Sequence, residues 1–362
     1  MQETEQTATD RVQAVWNKRP VIISGPCSAE TEEQVLETAR RLAATGWVDI
    51  LRAGIWKPRT KPGMFEGVGA KGLPWLLQAK KITGLPVTVE VATAKQVEDA
   101  LHFGVDILWI GARTTVNPFS VQELADALRG TDIPVLIKNP INPDLELWSG
   151  AVERVARAGI KQIGLIHRGF SSYGNTEYRN APMWHLAIDM KLRHSGMPFI
   201  NDPSHICGRR DILQATMQKA IDLDYDGVMV ESHVDPDQAW SDAKQQVTPE
   251  KLAEMLGNIT WRKDDINSAE FHAALERLRQ QINQLDDELM QILSRRMRVA
   301  EQIGDYKRQN NITILQTGRW NEIIERACQS GEKLGLSREF ITRYFDAVHM
   351  ESINHQKKIM DS

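Results

Sequence analysis

Residues 86–112 read PVTVEVATAKQVEDALHFGVDILWIGA. A β-branched apolar run opens at Val87, a segment with apolar residues at Val97, Ala100 and Leu101 follows, and Gly104 stops it before a second apolar run starts at Ile107. The middle segment has the three-and-four spacing of an amphipathic helix, and the short runs, bounded by Pro and Gly, have the texture of buried strands. The same unit recurs on either side. PVIISGPC (20–27) and DILRAG (49–54) precede it; PVLIKNP (134–140), QIGLIHRG (162–169), PFINDPSH (198–205) and GVMVESH (227–233) follow. Eight strands alternating with helices predict a parallel sheet closed as a (β/α)8 barrel. The same alternation permits an open doubly wound sheet, which no Walker A sequence favours.

Composition bounds the remainder. Across 362 residues, 44 Lys and Arg stand against 48 Asp and Glu, a net charge of -4. Without a basic excess, neither nucleic acid nor an anionic membrane is expected as a partner. No apolar run reaches the ~18 residues of a membrane span and no signal-peptide pattern opens the chain, so a soluble cytoplasmic protein is expected. Cys27, Cys207 and Cys328, three widely spaced cysteines, fit reduced thiols. All fifteen prolines lie at or before Pro249, and only four of 24 glycines follow residue 263. This change of texture places a barrel domain at 1–257, a linker at 258–268 and an all-helical domain at 269–362.

Barrel chemistry sits at the C-terminal ends of the strands. There this sequence delivers Cys27, then Arg52 and Lys57-Pro-Arg59-Thr60, then Gly111-Ala112-Arg113, Lys138, Arg168, Asp202 with His205, and Glu231, with Asp242 beyond. Each alone reads as an ordinary packing, capping or surface residue. Together, five or six cations on one rim require a multiply anionic ligand, because bidentate Arg and Lys hold phosphates and carboxylates. Cys27, His205, Glu231 and Asp242 form a mixed S, N, O, O set that suits a divalent metal without choosing which. A Schiff-base aldolase built on Lys138 is a further alternative, which borohydride trapping tests.

The strings GPCSAE, LRAGIWKPRT, IGARTT, PVLIKNP, HRG, NDPSH and DGVMVESHVDPDQAWSD strongly resemble the 3-deoxy-D-arabino-heptulosonate 7-phosphate (DAHP) synthases over roughly residues 18–256. The resemblance implies condensation of phosphoenolpyruvate with erythrose 4-phosphate on a metal-dependent barrel. C3 of phosphoenolpyruvate attacks a metal-polarised aldehyde, water adds at C2, and phosphate leaves. It assigns Cys27, His205, Glu231 and Asp242 to the metal, Mn2+ first, with Fe2+, Co2+, Zn2+ and Mg2+ as alternatives. Arg52, Lys57, Gly111, Ala112, Arg113, Lys138 and Arg168 fall to phosphoenolpyruvate, and Arg59, Thr60 and Asp202 to the sugar phosphate. Lys57, Cys27 and His205 take catalytic roles, Lys57 as proton donor to the new alkoxide. Lys57-Pro58-Arg59-Thr60 favours the four-carbon sugar over the five-carbon one of the related octulosonate synthases. His167 departs from the family, in which Glu commonly precedes the Arg-Gly.

In the second part, Leu275, Leu278, Ile282, Leu285, Leu289, Ile292, Arg296, Val299, Ile303 and Tyr306 advance by threes and fours, one stripe on one long helix that calls for a partner chain. Helices near 319–330 and 337–360 complete a small bundle. Arg296 on an apolar stripe needs an anion. Lys307 follows on the same face about 16 Å along, whereas Arg279 lies about 25 Å away and can join only from a partner helix. LRQQINQLDDELMQILSRRMRVAEQIGDYK resembles the first helix of the all-helical chorismate mutases. That implies a cofactor-free homodimer converting chorismate to prephenate. Arg279 of one protomer would meet Arg296, Lys307, Arg319, Ser352 and Gln356 of the other, with Arg296, Lys307 and Gln356 catalytic. Gln316 and Trp320 stand where the bacterial pattern has carboxylates, one of which contacts the substrate hydroxyl. The expectation is therefore a bifunctional enzyme. The alternative makes the helical part a dimerising sensor through which prephenate or chorismate inhibits the barrel.

Overall fold

The computed structural model describes residues 8–58, 63–174, 177–262, 268–315 and 317–361. The chain divides into two compact units, Met1–Asp264 and Asp265–Ser362.

The first unit is a closed barrel of eight parallel strands in sequence order: β1 Val21–Gly25, β2 Ile50–Arg52, β3 Val87–Val91, β4 Ile107–Ile110, β5 Val135–Lys138, β6 Ile163–His167, β7 Phe199–Asn201 and β8 Gly227–Glu231. Closure runs from Val21 beside Gly227 to Gly25 beside Glu231. Alternate side chains divide into two clusters, as the period of two in a strand requires. Ile23, Ile50, Ile107, Trp109, Leu136, Ile166, Ile200 and Met229 fill the barrel; Ile22, Leu51, Leu108, Ile137, Leu165 and Val228 pack under the helices. In the stretch 86–112, the helix Ala94–His102 starts at an N-cap, Thr93, whose hydroxyl accepts from the Gln96 N–H at 3.3 Å. It stops before Gly104, which has a φ of 73°.

Two features were not expected. A helix at Ala8–Trp16 packs Val12, Val15 and Trp16 against the cluster inside the barrel. Gly67-Val-Gly-Ala-Lys-Gly72 has the glycine spacing of a dinucleotide fingerprint yet follows no strand directly, since β2 ends at Arg52. Gly67 serves a turn instead: with a φ of 95°, a Cβ there would lie 2.1 Å from the Ile55 carbonyl oxygen.

The second unit has helices at Ala269–Gln309, Thr317–Glu332 and Arg338–Met360. Ser268 and Ser337 cap the first and last. Those two pack through Met297, Ala300 and Gly304 against Val348, Ser352 and Gln356, all buried; a Cβ on Gly304 would meet Gln356 Cα at 3.0 Å. Toward its N-terminus the long helix is bare, with Leu278, Ile282, Leu285 and Leu289 all exposed.

Candidate functional sites

Ends of the barrel strands bring the expected cations together. Arg52 (2% exposed), Lys138 (4%) and Arg168 (6%) are buried there, which requires compensation. Lys138 Nζ donates to Asp202 Oδ2 at 2.7 Å. Arg52 Nη1 stands 3.3 Å from Glu231 Oε1 without hydrogen-bond alignment, and Arg52 Nε and Nη1 and Glu231 Oε1 are all buried without a hydrogen-bond partner. Burial pushes the Arg168 guanidinium down to about 10, Asp202 opposing this and Arg179 and Arg113 adding to it. Gly111 and Ala112 lie buried beside the exposed Arg113, where β4 runs into the short helix Ala112–Thr115. Gly111 leaves room for Glu90: a Cβ would fall 1.9 Å from Glu90 Oε1, and the Glu90 carboxylate would have to shift. Lys57 is half-buried, its Nζ 2.7 Å from Cys27 Sγ. Arg59 and Thr60 lie outside the described residues.

Asp202 caps the short helix Pro203–Cys207. Its Oδ1 accepts from the His205 N–H at 3.1 Å and lies 3.0 Å from His205 Nδ1. Burial would raise this carboxyl, but His205 and Lys138 hold it well below the usual carboxylate range. The four expected metal ligands stand as two pairs. Cys27 Sγ lies 3.3 Å from Asp242 Oδ2, and His205 Nε2 lies 3.7 Å from Glu231 Oε1. Among the described residues no three His, Cys, Asp or Glu side chains form a group that could hold an ion, so the set is not assembled as one cage. Its chemistry nonetheless suits a divalent cation. Glu231 and Asp242 stay below the ordinary range despite burial, Glu231 chiefly through His205 and Arg52 and Asp242 chiefly through Arg179 and His205, and Glu231 Oε1 is left without a hydrogen bond. Burial, then Glu231, pushes the Cys27 thiol up to about 12, so ligation by sulfur requires that a binding ion displace the thiol proton, which is released.

Sequence reasoning missed the supports. Arg179 donates to Asp242 Oδ1 at 3.0 Å and to Gln245 Oε1 at 2.7 Å, Gln245 donates to Glu231 Oε2 at 2.7 Å, and Asn139 Oδ1 accepts from the Arg168 N–H at 2.7 Å. Trp109 floors the cradle, its ring 4.9 Å from the Arg52 guanidinium carbon and 5.8 Å from Lys138 Nζ; its indole N–H donates to Glu90 Oε2 at 3.1 Å. The legible signal was a Trp at an inward position of a strand.

In the helical unit Arg296 Nη1 donates to Ser352 Oγ, and Lys307 Nζ donates to the Ile314 carbonyl at 2.5 Å. Burial lowers both cations. Gln356 is 8% exposed, and its Oε1 has no partner. Arg279 is exposed and stands apart from this pocket, as the helix rise requires. Arg319 is exposed too, paired with Glu322 at 2.8 Å, and is not brought to Arg296. Trp320 stacks on His349; Gln316 lies outside the described residues.

A sequence profile of the DAHP synthetase I family matches residues 3–268. The chain belongs to that family. Residues 278–357 match the chorismate mutase type II profile, so a DAHP synthase domain is followed by a chorismate mutase domain. A phospho-2-dehydro-3-deoxyheptonate aldolase of Thermotoga maritima is 34% identical over 235 residues, 65% of this chain and 67% of the relative. A 2-dehydro-3-deoxyphosphooctonate aldolase of a Geobacter species is 29% identical over 265 residues, 67% of this chain and 91% of the relative. Among solved structures, Thermotoga maritima DAHP synthase aligns at a TM-score of 0.60 and 33% identity, covering 67% of this chain and 68% of that one. A truncated form of the Thermotoga enzyme aligns at 0.58 and 30%, covering 67% and 85%.

Proposed function

We propose that the barrel rim condenses phosphoenolpyruvate with erythrose 4-phosphate and that the helical pocket rearranges chorismate to prephenate. The observation that carries the first half is Arg52, a buried guanidinium whose Nε and Nη1 have no hydrogen-bond partner, Nη1 having only the unaligned Glu231 carboxylate at 3.3 Å. Buried donors without partners are costly unless a ligand meets them. Arg52, Lys138 and Arg168, with the backbone of Gly111 and Ala112 and with Arg113, would hold the phosphate and carboxylate of phosphoenolpyruvate. Arg59, Thr60 and Asp202 would face the sugar phosphate.

Cys27, His205, Glu231 and Asp242 would hold a divalent ion, Mn2+ by preference, which supplies a Lewis acid when bound. The chain's own groups do the rest. Asp202 fixes the His205 ring, Arg179 and Gln245 hold Asp242 and Glu231 in place, and Lys57 delivers a proton to the alkoxide as the carbon-carbon bond forms. In the helical pocket, Arg296 and Lys307 attract the dianion and Gln356 faces the reacting ether; this is electrostatic catalysis without a cofactor.

The exposed row Leu278, Ile282, Leu285 and Leu289 supports a homodimer through the long helix, since a contiguous apolar stripe this long is expected to be covered. A second protomer would also bring Arg279 to the pocket. Prephenate is the expected effector, and loss of its inhibition on truncation after residue 262 tests that role. No helix among the described residues is long and apolar enough to cross a membrane, which accords with work in the cytoplasm. The direct test is DAHP formation from phosphoenolpyruvate and erythrose 4-phosphate by the purified chain. Turnover is expected, and a chain that accepts only arabinose 5-phosphate would sink the sugar assignment.

A further inference from the structure

The helical pocket contains a second buried atom without a partner, His349 Nε2. His349 lies on the last helix three residues before Ser352 and seven before Gln356, spacings that put all three on one face. Its ring lies against Trp320 of the middle helix, centroids 4.0 Å apart and planes 20° from parallel. Burial lowers the imidazole first, Arg296 and Lys307 lower it further, and Asp346 opposes them. The imidazole therefore sits in the field of the two cations that await the dianion. If His349 were only packing, its unpaired nitrogen would be a cost that an apolar ring on Trp320 would avoid. Trp320 itself has an indole that cannot accept a hydrogen bond, at a position where a carboxylate was expected, and the imidazole stacked on it returns a hydrogen-bonding atom to that corner.

We propose that His349 is a substrate-contacting residue of the mutase pocket, its Nε2 hydrogen-bonding the dianion drawn in by Arg296 and Lys307 while Trp320 fixes the plane of the ring. This rests on the chorismate mutase reading, which the unmutated chain's own turnover tests separately. His349→Phe keeps a ring on Trp320 and removes the nitrogen. The expected result is a fall of about 10- to 100-fold in kcat/KM for chorismate, the range for one hydrogen bond to a charged group. DAHP formation and the helical circular dichroism should stay unchanged. His349→Gln, which loses the stack and keeps a hydrogen-bonding end, should recover part of the loss. A Phe variant within twofold of the parent would overturn the proposal. Should the Phe variant fail to fold, a folded His349→Leu variant takes its place: a fall of tenfold or more supports the contact, and activity within twofold of the parent overturns it. Should the parent bind chorismate without turning it over, calorimetric titration replaces kinetics: binding by the parent at least tenfold tighter than by the Phe variant supports the contact, and equal binding, or none by the parent, overturns it.

Discussion

Asp202 joins Lys138 and His205 where no solvent reaches it, and its replacement by Asn isolates what that carboxylate does. Its side chain is 0% exposed and that of Lys138 is 4%. Asn keeps the shape and removes the charge, leaving an ammonium buried among Arg52 and Arg168 with no counter-ion at 2.7 Å. Removing one partner of a buried pair costs about 3–5 kcal/mol. At roughly 2–4 °C per kcal/mol for a domain of this size, the barrel should melt about 6–20 °C lower. Tryptophan fluorescence reads this selectively, because of the ten tryptophans only Trp320 lies beyond residue 264. If the isolated ammonium is the cause, Asp202→Asn with Lys138→Met should be more stable than Asp202→Asn alone, although it loses the contact proposed for phosphoenolpyruvate. A single variant within about 1 kcal/mol of the parent, or a double variant whose losses simply add, would refute the pairing argument.

Three further outcomes are expected. His167 accepts from Tyr225 Oη at Nδ1 (2.8 Å) and donates from Nε2 to the Pro182 carbonyl (2.7 Å), and burial pushes it down to about 4. The unfolded chain, titrating near 6.5, binds the extra proton first, so this stabilisation is present above pH 6.5 and is lost as pH falls toward 4. At pH 5 the loss is roughly 2 kcal/mol, and urea unfolding of His167→Gln should show a flatter slope between pH 7 and 5. Gly111→Ala, forced against Glu90 Oε1, should raise KM for phosphoenolpyruvate several-fold while chorismate turnover stays constant; an unchanged KM would contradict the close approach. Exhaustive chelation should abolish DAHP formation, with recovery on adding Mn2+, and leave chorismate turnover within twofold. Full synthase activity in the chelated chain would contradict the metal assignment.

The eight strands were legible because each is a short β-branched run bounded by Gly or Pro, and barrel geometry then put Arg52, Lys138, Arg168 and Glu231 on one rim. Arg179 was not legible. It comes from a loop 63 residues before Asp242, and only the folded barrel closes that distance. The helix Ala8–Trp16 escaped notice because its apolar residues are few and acquire meaning only against the bottom of the barrel. On the long helix the stripe was plain, yet periodicity does not name what covers it. Arg319 fitted a pattern by position, while its side chain has a nearer partner in Glu322. His349 carries no motif at all; its interest lies in a buried nitrogen without a hydrogen-bond partner, which only the folded chain shows.

The central claim is that one chain holds two separate active centres. Its most direct test assays both reactions on the same preparations of parent, Lys57→Met and Arg296→Ala. The account predicts that the parent forms DAHP and consumes chorismate, that Lys57→Met loses only the first, and that Arg296→Ala loses only the second. A parent that leaves chorismate untouched would contradict it.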